Sequence, residues 1–171
     1  SVITLKTDIL CNQSNQFDCH VHIDHIKLAT KSLLIETDES RVVVLHLDQP
    51  VAYPDDTRIT RAIELSNTAE LCGVSANSSK CNESPEKLVI MASSGAAPTE
   101  ACDSKVRSLR FSNNNLPYAL LYMPTGTIRP HNASLIGLAW AASICVVNPL
   151  NNPSSFQLTT KLGNTTVIER A

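Results

Sequence analysis

"FDCHVHIDHIKLATKSLLIETDESRVVVLHLD", residues 17–48, decides between helix and sheet for the amino-terminal part of the chain. Its first nine positions hold three of the five histidines. Read as a strand, alternation puts His20, His22 and Asp24 on one face, as in a His-x-His pair gripping zinc. Read as a helix, the near neighbours are His22 and His25, three apart. The apolar spacing favours the helix: His22, Ile23, Ile26, Ala29, Leu33 and Leu34 gather on one side, with Asp24, Lys27 and Lys31 facing away. A helix is therefore predicted over 21–35, a turn at 38–40, and a strand over 41–48 from its β-branched run, ended by Pro50 and Pro54.

At 171 residues the chain fits one domain, 1–171, large enough to bury a core. A net charge of -2 gives no basic stripe for nucleic acid or anionic membrane, so no nucleic-acid partner is expected. With 18% charged and 43% apolar residues the chain is globular rather than disordered. The longest apolar stretch, residues 135–147, is too short to span a bilayer as a helix.

Six cysteines, Cys11, Cys19, Cys72, Cys81, Cys102 and Cys145, are an even number with no Cys-x-x-Cys spacing. They are disulfide candidates and suggest an oxidising, extracytoplasmic setting. Pairing neighbours would close two short loops and one long one, among about fifteen pairings that six cysteines allow. On the chain-entropy model each short loop contributes roughly 2.5–3 kcal/mol and the long one about 4. Asn-x-Ser/Thr triplets begin at Asn12, Asn77, Asn82, Asn132 and Asn164, a weak sign of a glycosylated ectodomain.

Further along, "CGVSANSSKC" reads as a disulfide-closed loop and "KLVIMAS" as a strand. "VRSLRF", "YALLYM", "FQLTT" and "TTVIER", separated by polar turns, read as a meander. A helix followed by a run of antiparallel strands is an α+β plan.

Three segments resemble the soluble domain of a GspH/FimT-type minor pseudopilin or minor type IV pilin. "IDHIKLATKSLLIETDESRVVVLHLD" is similar to that family's helix end and first strand, and "LRFSNNNLPYALLYMPTGTIRP" to its phenylalanine strand and glycine turn. "ASICVVNPLNNPSSFQLTTKLGNTTVIERA" resembles its cysteine strand, loop and closing hairpin. The resemblance implies a disulfide-stabilised, amino-terminal helix packed on antiparallel β-sheet, in a non-enzymatic subunit without cofactors. It implies pilin or pseudopilin partners and attachment to the inner membrane through a missing amino-terminal helix. The protein would then be periplasmic or displayed on an assembled pilus. The family's DNA-binding variant needs a basic hairpin, whereas residues 156–171 carry only Lys161 and Arg170 against Glu169.

Other chemistry is thinly signalled. A zinc site would need His46, His131 or a distant carboxylate besides the helix histidines, so no metal ligands are assigned. There is no Gly-x-Ser-x-Gly elbow and no phosphate-binding glycine loop, so no catalytic residues are assigned. "PDD" at 54–56 reads as a turn rather than a calcium site, and Trp140 as core. The rival functions are a receptor-binding, disulfide-rich ectodomain and a small secreted metallohydrolase.

Overall fold

A computed structural model of the chain describes residues 2–11, 18–37, 41–48, 51–53, 56–92, 109–112, 115–131, 133–145, 156–162 and 165–170. β1 (Val2–Leu5) leads through one helical turn, α1 (Thr7–Leu10), to β2 (Asp18–Ile23) and β3 (Ile26–Leu28). The chain then returns to its start. β4 (Ser32–Glu36) lies parallel to β1, with Ser32 against Val2, and β5 (Val42–Leu47) lies on β2, with Val43 against Cys19. β6 (Val51–Tyr53) and β7 (Asp56–Arg61) leave the circuit as an antiparallel hairpin, after which β8 (Ile63–Leu65) settles on β3.

A third circuit repeats the pattern. β9 (Glu70–Val74), β10 (Leu88–Met91) and β11 (Leu109–Ser112) stack on β4, β5 and β8. β12 (Asn115–His131) and β13 (Ala133–Ile144) each run on as one bent strand, β12 pairing with β10 through Leu120 and with β11 through Ile128. β14 (Phe156–Leu162) begins on β13, and β15 (Thr165–Arg170) turns back antiparallel to it. Parallel strands stacked circuit on circuit, with the chain passing from sheet to sheet at corners, make a parallel β-helix.

This overturns the expected α+β fold. The sheets are mostly parallel, and among the described residues the single α-helix is the four-residue α1. Residues 21–35, predicted helical, form parts of β2, β3 and β4. The physical reason lies in the corners. Cys19, Val21 and Ile23 alternate toward the interior, a two-residue corner follows, and Ile26 and Leu28 resume the alternation one step out of phase. A period of two broken by corners mimics a period of 3.6. The strands predicted over 41–48 and 87–93 are found as β5 and β10, and "FQLTT" and "TTVIER" do pair as a hairpin, but the longer meander is replaced by parallel stacking; Ser93 lies outside the described residues.

The interior is filled by columns of apolar residues, one from each circuit. Val21, Leu45, Ile90 and Leu121 make one column. Ile26, Ile63, Leu109 and Ile128 make another. Leu45, Ile90, Ile63, Leu109 and Ile128 are fully buried. Each contributes about 1.5–3 kcal/mol on removal from water. Where the column cannot be apolar it is paired: buried Thr127 Oγ1 lies 2.9 Å from Ser143 Oγ of the next circuit.

Two disulfides fasten the circuits. Cys11, at the end of α1, is bonded to Cys19 in β2 with Cα atoms 5.5 Å apart. Cys72 in β9 is bonded to Cys81, 5.7 Å apart, and this folds the following loop over the outer side of the β4–β9 sheet. There Leu34, Cys72 and Val74 form a second small core with Cys81 packed on it. Asn82 closes the arrangement, its backbone N–H donating to Gly73 O at 2.9 Å and its amide donating to Thr37 Oγ1 at 2.7 Å. Cys145 is also disulfide-bonded; Cys102 lies outside the described residues.

Gly137 has φ +148°, and a Cβ there would sit 1.9 Å from the Ala119 carbonyl oxygen on the neighbouring strand. Gly137→Ala is expected to destabilise the fold by about 2–4 kcal/mol from backbone strain and overpacking together. At Gly73 the nearest atom to an added Cβ is a side-chain carbon of Thr37 at 3.3 Å, which has some room to yield. Thermal unfolding of the two alanine variants should show the larger drop in Tm for Gly137; equal drops would contradict the register between β12 and β13.

Candidate functional site

Because coils stack in register, residues at one position of successive circuits form rows on the outside as well as columns inside. On the outer face of the sheet formed by β2, β5, β10, β12 and β13, one row reads His22, His46, Met91, Tyr122, Trp140. The adjacent row reads His20, Val44, Val89, Leu120, Leu138. Neither row holds a Lys, Arg, Asp or Glu. The face is therefore imidazole at one end, aliphatic in the middle and aromatic at the other end.

The aromatic end is open to solvent. Trp140 is 63% exposed, and Tyr122 and Leu138 are each 39% exposed. The Tyr122 and Trp140 rings lie 6.1 Å apart, tilted by 59°, within the range of favourable aromatic pairs. The expectation that Trp140 is core is thus overturned. It lies in β13 with Gly137, Ala139 and Ala141, whose alternation carries the inner face and leaves Leu138 and Trp140 pointing outward.

At the other end the strand alternation of β2 brings out the histidines. His22 and His46 face each other across β2 and β5 with ring centroids 4.5 Å apart and planes 8° apart. His20, on the diagonal, stacks on His46 at 5.1 Å and places its Nδ1 2.7 Å from His46 Nε2, so one of those two nitrogens carries a shared proton. His22 Nδ1–H donates to Asp48 Oδ2 at 2.8 Å, so in the neutral ring the lone pair is on Nε2. Burial between its neighbours, with the His22 and His20 rings adding, holds the His46 pKa below the usual imidazole value, and Asp48 acts weakly in the other direction.

The sequence pattern named His20 and His22 but favoured the helix, which would have put His22 on the apolar stripe. In the strand His22 is outward, its side chain 63% exposed, and its partners are His46 and Asp48 rather than Asp24 or His25. His46, expected only as a helper, is central to the cluster; His25 sits at the corner between β2 and β3, and His131 ends β12. Tyr122, Met91, Leu120 and Leu138 were missed altogether. "YALLYM" reads as a strand and residues 135–147 as one apolar stretch, but such runs do not tell inward from outward residues, and only the parallel register aligns them with the histidines.

Among the described residues, the one group of three His, Cys, Asp or Glu donors converging within 4.8 Å is Glu70, Cys72 and Cys81, and the disulfide occupies both sulfurs. Beside it a shallow, open recess of about 370 Å³ is lined by Glu70, Ser79, Lys80, Cys81, Glu83 and Tyr118. Of the glycosylation triplets, Asn77 is exposed on a turn, whereas Asn82 is tied to Thr37. Asn12, Asn132 and Asn164 lie outside the described residues, as do Pro54 and Asp55 of "PDD"; Asp56 begins β7. No helix among the described residues is long and apolar enough to cross a membrane. No family model, curated protein or solved structure matches this chain.

Proton-binding curves test the cluster. The His46 imidazole should titrate below the ordinary value near 6.5 in NMR. A lowered pKa means that the unfolded chain binds the proton more readily, so this group's contribution to stability is present above pH 6.5 and is lost as pH falls below it. His22→Ala should raise the His46 midpoint by relieving burial and repulsion, and Asp48→Asn should lower it; shifts of the opposite sign would refute the stacked geometry.

Proposed function

We propose that the protein is a non-enzymatic subunit of an extracytoplasmic assembly that docks another protein against the outer face of its long sheet. What supports this is the open aromatic end of that face: Tyr122, Leu138 and Trp140, contiguous and uncharged. A protein rarely leaves its large apolar side chains together in water, and clustered exposed Trp and Tyr are the side chains that anchor protein interfaces. Trp140 is the chain's one tryptophan, which makes its exposure the more telling.

Area fixes the strength. Five strands spaced about 4.8 Å apart and roughly five residues deep present on the order of 300 Å². That is well below the ~800 Å² per partner of a standard stable interface. The face therefore suits a weak contact that becomes firm when several subunits are held together. The disulfides agree with an oxidising compartment. Only the role of assembly subunit is carried over from the pilin resemblance; the helix through which such a protein would pack is replaced here by β2, β3 and β4.

Site-specific photocrosslinking tests this in the cells that make the protein. Benzoylphenylalanine in place of Trp140 should yield one defined protein adduct, and the same replacement at exposed Lys31 should not. Adducts at both positions or at neither would reject the docking face.

A further inference from the structure

We infer that the histidine end of the face is a copper-binding site, with His20 and His46 as its first ligands and His22 and Met91 completing it. Four observations converge. His20 Nδ1 and His46 Nε2 already approach to 2.7 Å, close to the ~2.9 Å separating two nitrogens bound side by side on one ion at ~2.0–2.1 Å. For both nitrogens to bind one ion, the ring that now holds the shared proton carries it on its other nitrogen instead, a change of tautomer that leaves both imidazoles neutral.

His22 supplies the second sign. Its Nδ1–H is held by Asp48, which fixes the tautomer that leaves Nε2 free, and a carboxylate behind a histidine is the usual support of a metal-ligating imidazole. With 63% of the His22 side chain and 49% of the Asp48 side chain exposed, the two can shift together toward the His20–His46 pair with their hydrogen bond kept. The third is Met91, directly beside His46 in the row. Two or three imidazoles with a thioether form a mixed borderline and soft donor set, which suits copper in either oxidation state and suits magnesium, calcium or manganese poorly. The fourth is the histidines' lack of any other packing role: His20 and His22 are exposed, and the fold beneath them is carried by Cys19, Val43 and Leu45.

The site contains its own reporter. Trp140 is three strands from His46 along the same row, about 14 Å away at the strand spacing. A paramagnetic Cu2+ ion at that distance quenches indole fluorescence.

The experiment is a titration of the purified, oxidised protein with CuCl2 at pH 7.5, following Trp140 emission and the Cu2+ electron paramagnetic resonance spectrum. Saturable one-to-one quenching with nitrogen hyperfine structure is expected. His20→Ala and His46→Ala should each weaken binding at least tenfold, His25→Ala should leave it unchanged, and excess EDTA should strip the ion and restore the emission. Met91→Leu should weaken Cu+ more than Cu2+, measured by competition with a Cu+-specific chelator. Circular dichroism of each variant confirms the fold, which these surface replacements leave intact. Equal binding by the wild type and a His20→Ala/His46→Ala double variant, or no saturable binding by the folded wild type, overturns the site.

Discussion

Everything in this molecule depends on each circuit lying in register on the one before it. Backbone hydrogen bonds between parallel strands hold the circuits about 4.8 Å apart, and the same register sends Leu45 onto Ile90 and Ile63 onto Leu109. A slip of one residue anywhere would turn a column of buried leucine and isoleucine outward and draw the opposite face in. The constraint governs only residues within the strands. From Leu120 to its partner Leu138 takes 18 residues, whereas from Val43 to its partner Leu88 takes 45, because the β6–β7 hairpin and the disulfide-closed loop leave between strands. The interior is periodic while the chain's length per circuit is not.

That difference explains what the sequence reveals and what it hides. Strand-forming runs such as "VVVLHL" and "LVIM" announce themselves through β-branched and aliphatic residues, and β5 and β10 fall where they are expected. The short loop between Cys72 and Cys81 is equally plain, since two cysteines so close on a polar turn have little else to join. Hydrogen-bond partners are another matter. Nothing local says whether β5 pairs with its chain neighbour or with a strand 45 residues away, and unequal excursions erase the repeat that would identify a solenoid. The "IDHIKLATKSLLI" stretch misleads because two corners shift the phase of a strand alternation into the spacing of a helix. The site is hidden for the same reason: His22, Met91 and Trp140 are far apart in sequence and share a row only once register is known.

The outer face shows how a solenoid composes a surface. Each circuit contributes one side chain to each row, so chemistry changes in steps along the axis: imidazoles on β2 and β5, aliphatic side chains on β10, aromatic ones on β12 and β13. Rigidity comes without further design, since a parallel ladder and a filled interior lie beneath every residue of the row. His46 stands where the two regimes meet, flanked on one side by His22 and on the other by Met91. Burial between those neighbours lowers its affinity for protons first, and the His22 and His20 rings add to the effect.

The loop held by Cys72–Cys81 decides how many such surfaces the molecule presents. Leu34 and Val74 point away from the main interior and are dry only because that loop lies across them. Reduce the bond and Leu34 and Val74 can be bared as a small apolar patch between Ser32, Glu36 and Glu70, on a different side from the first face. How much apolar surface the molecule shows to water is thereby tied to the redox state of its surroundings.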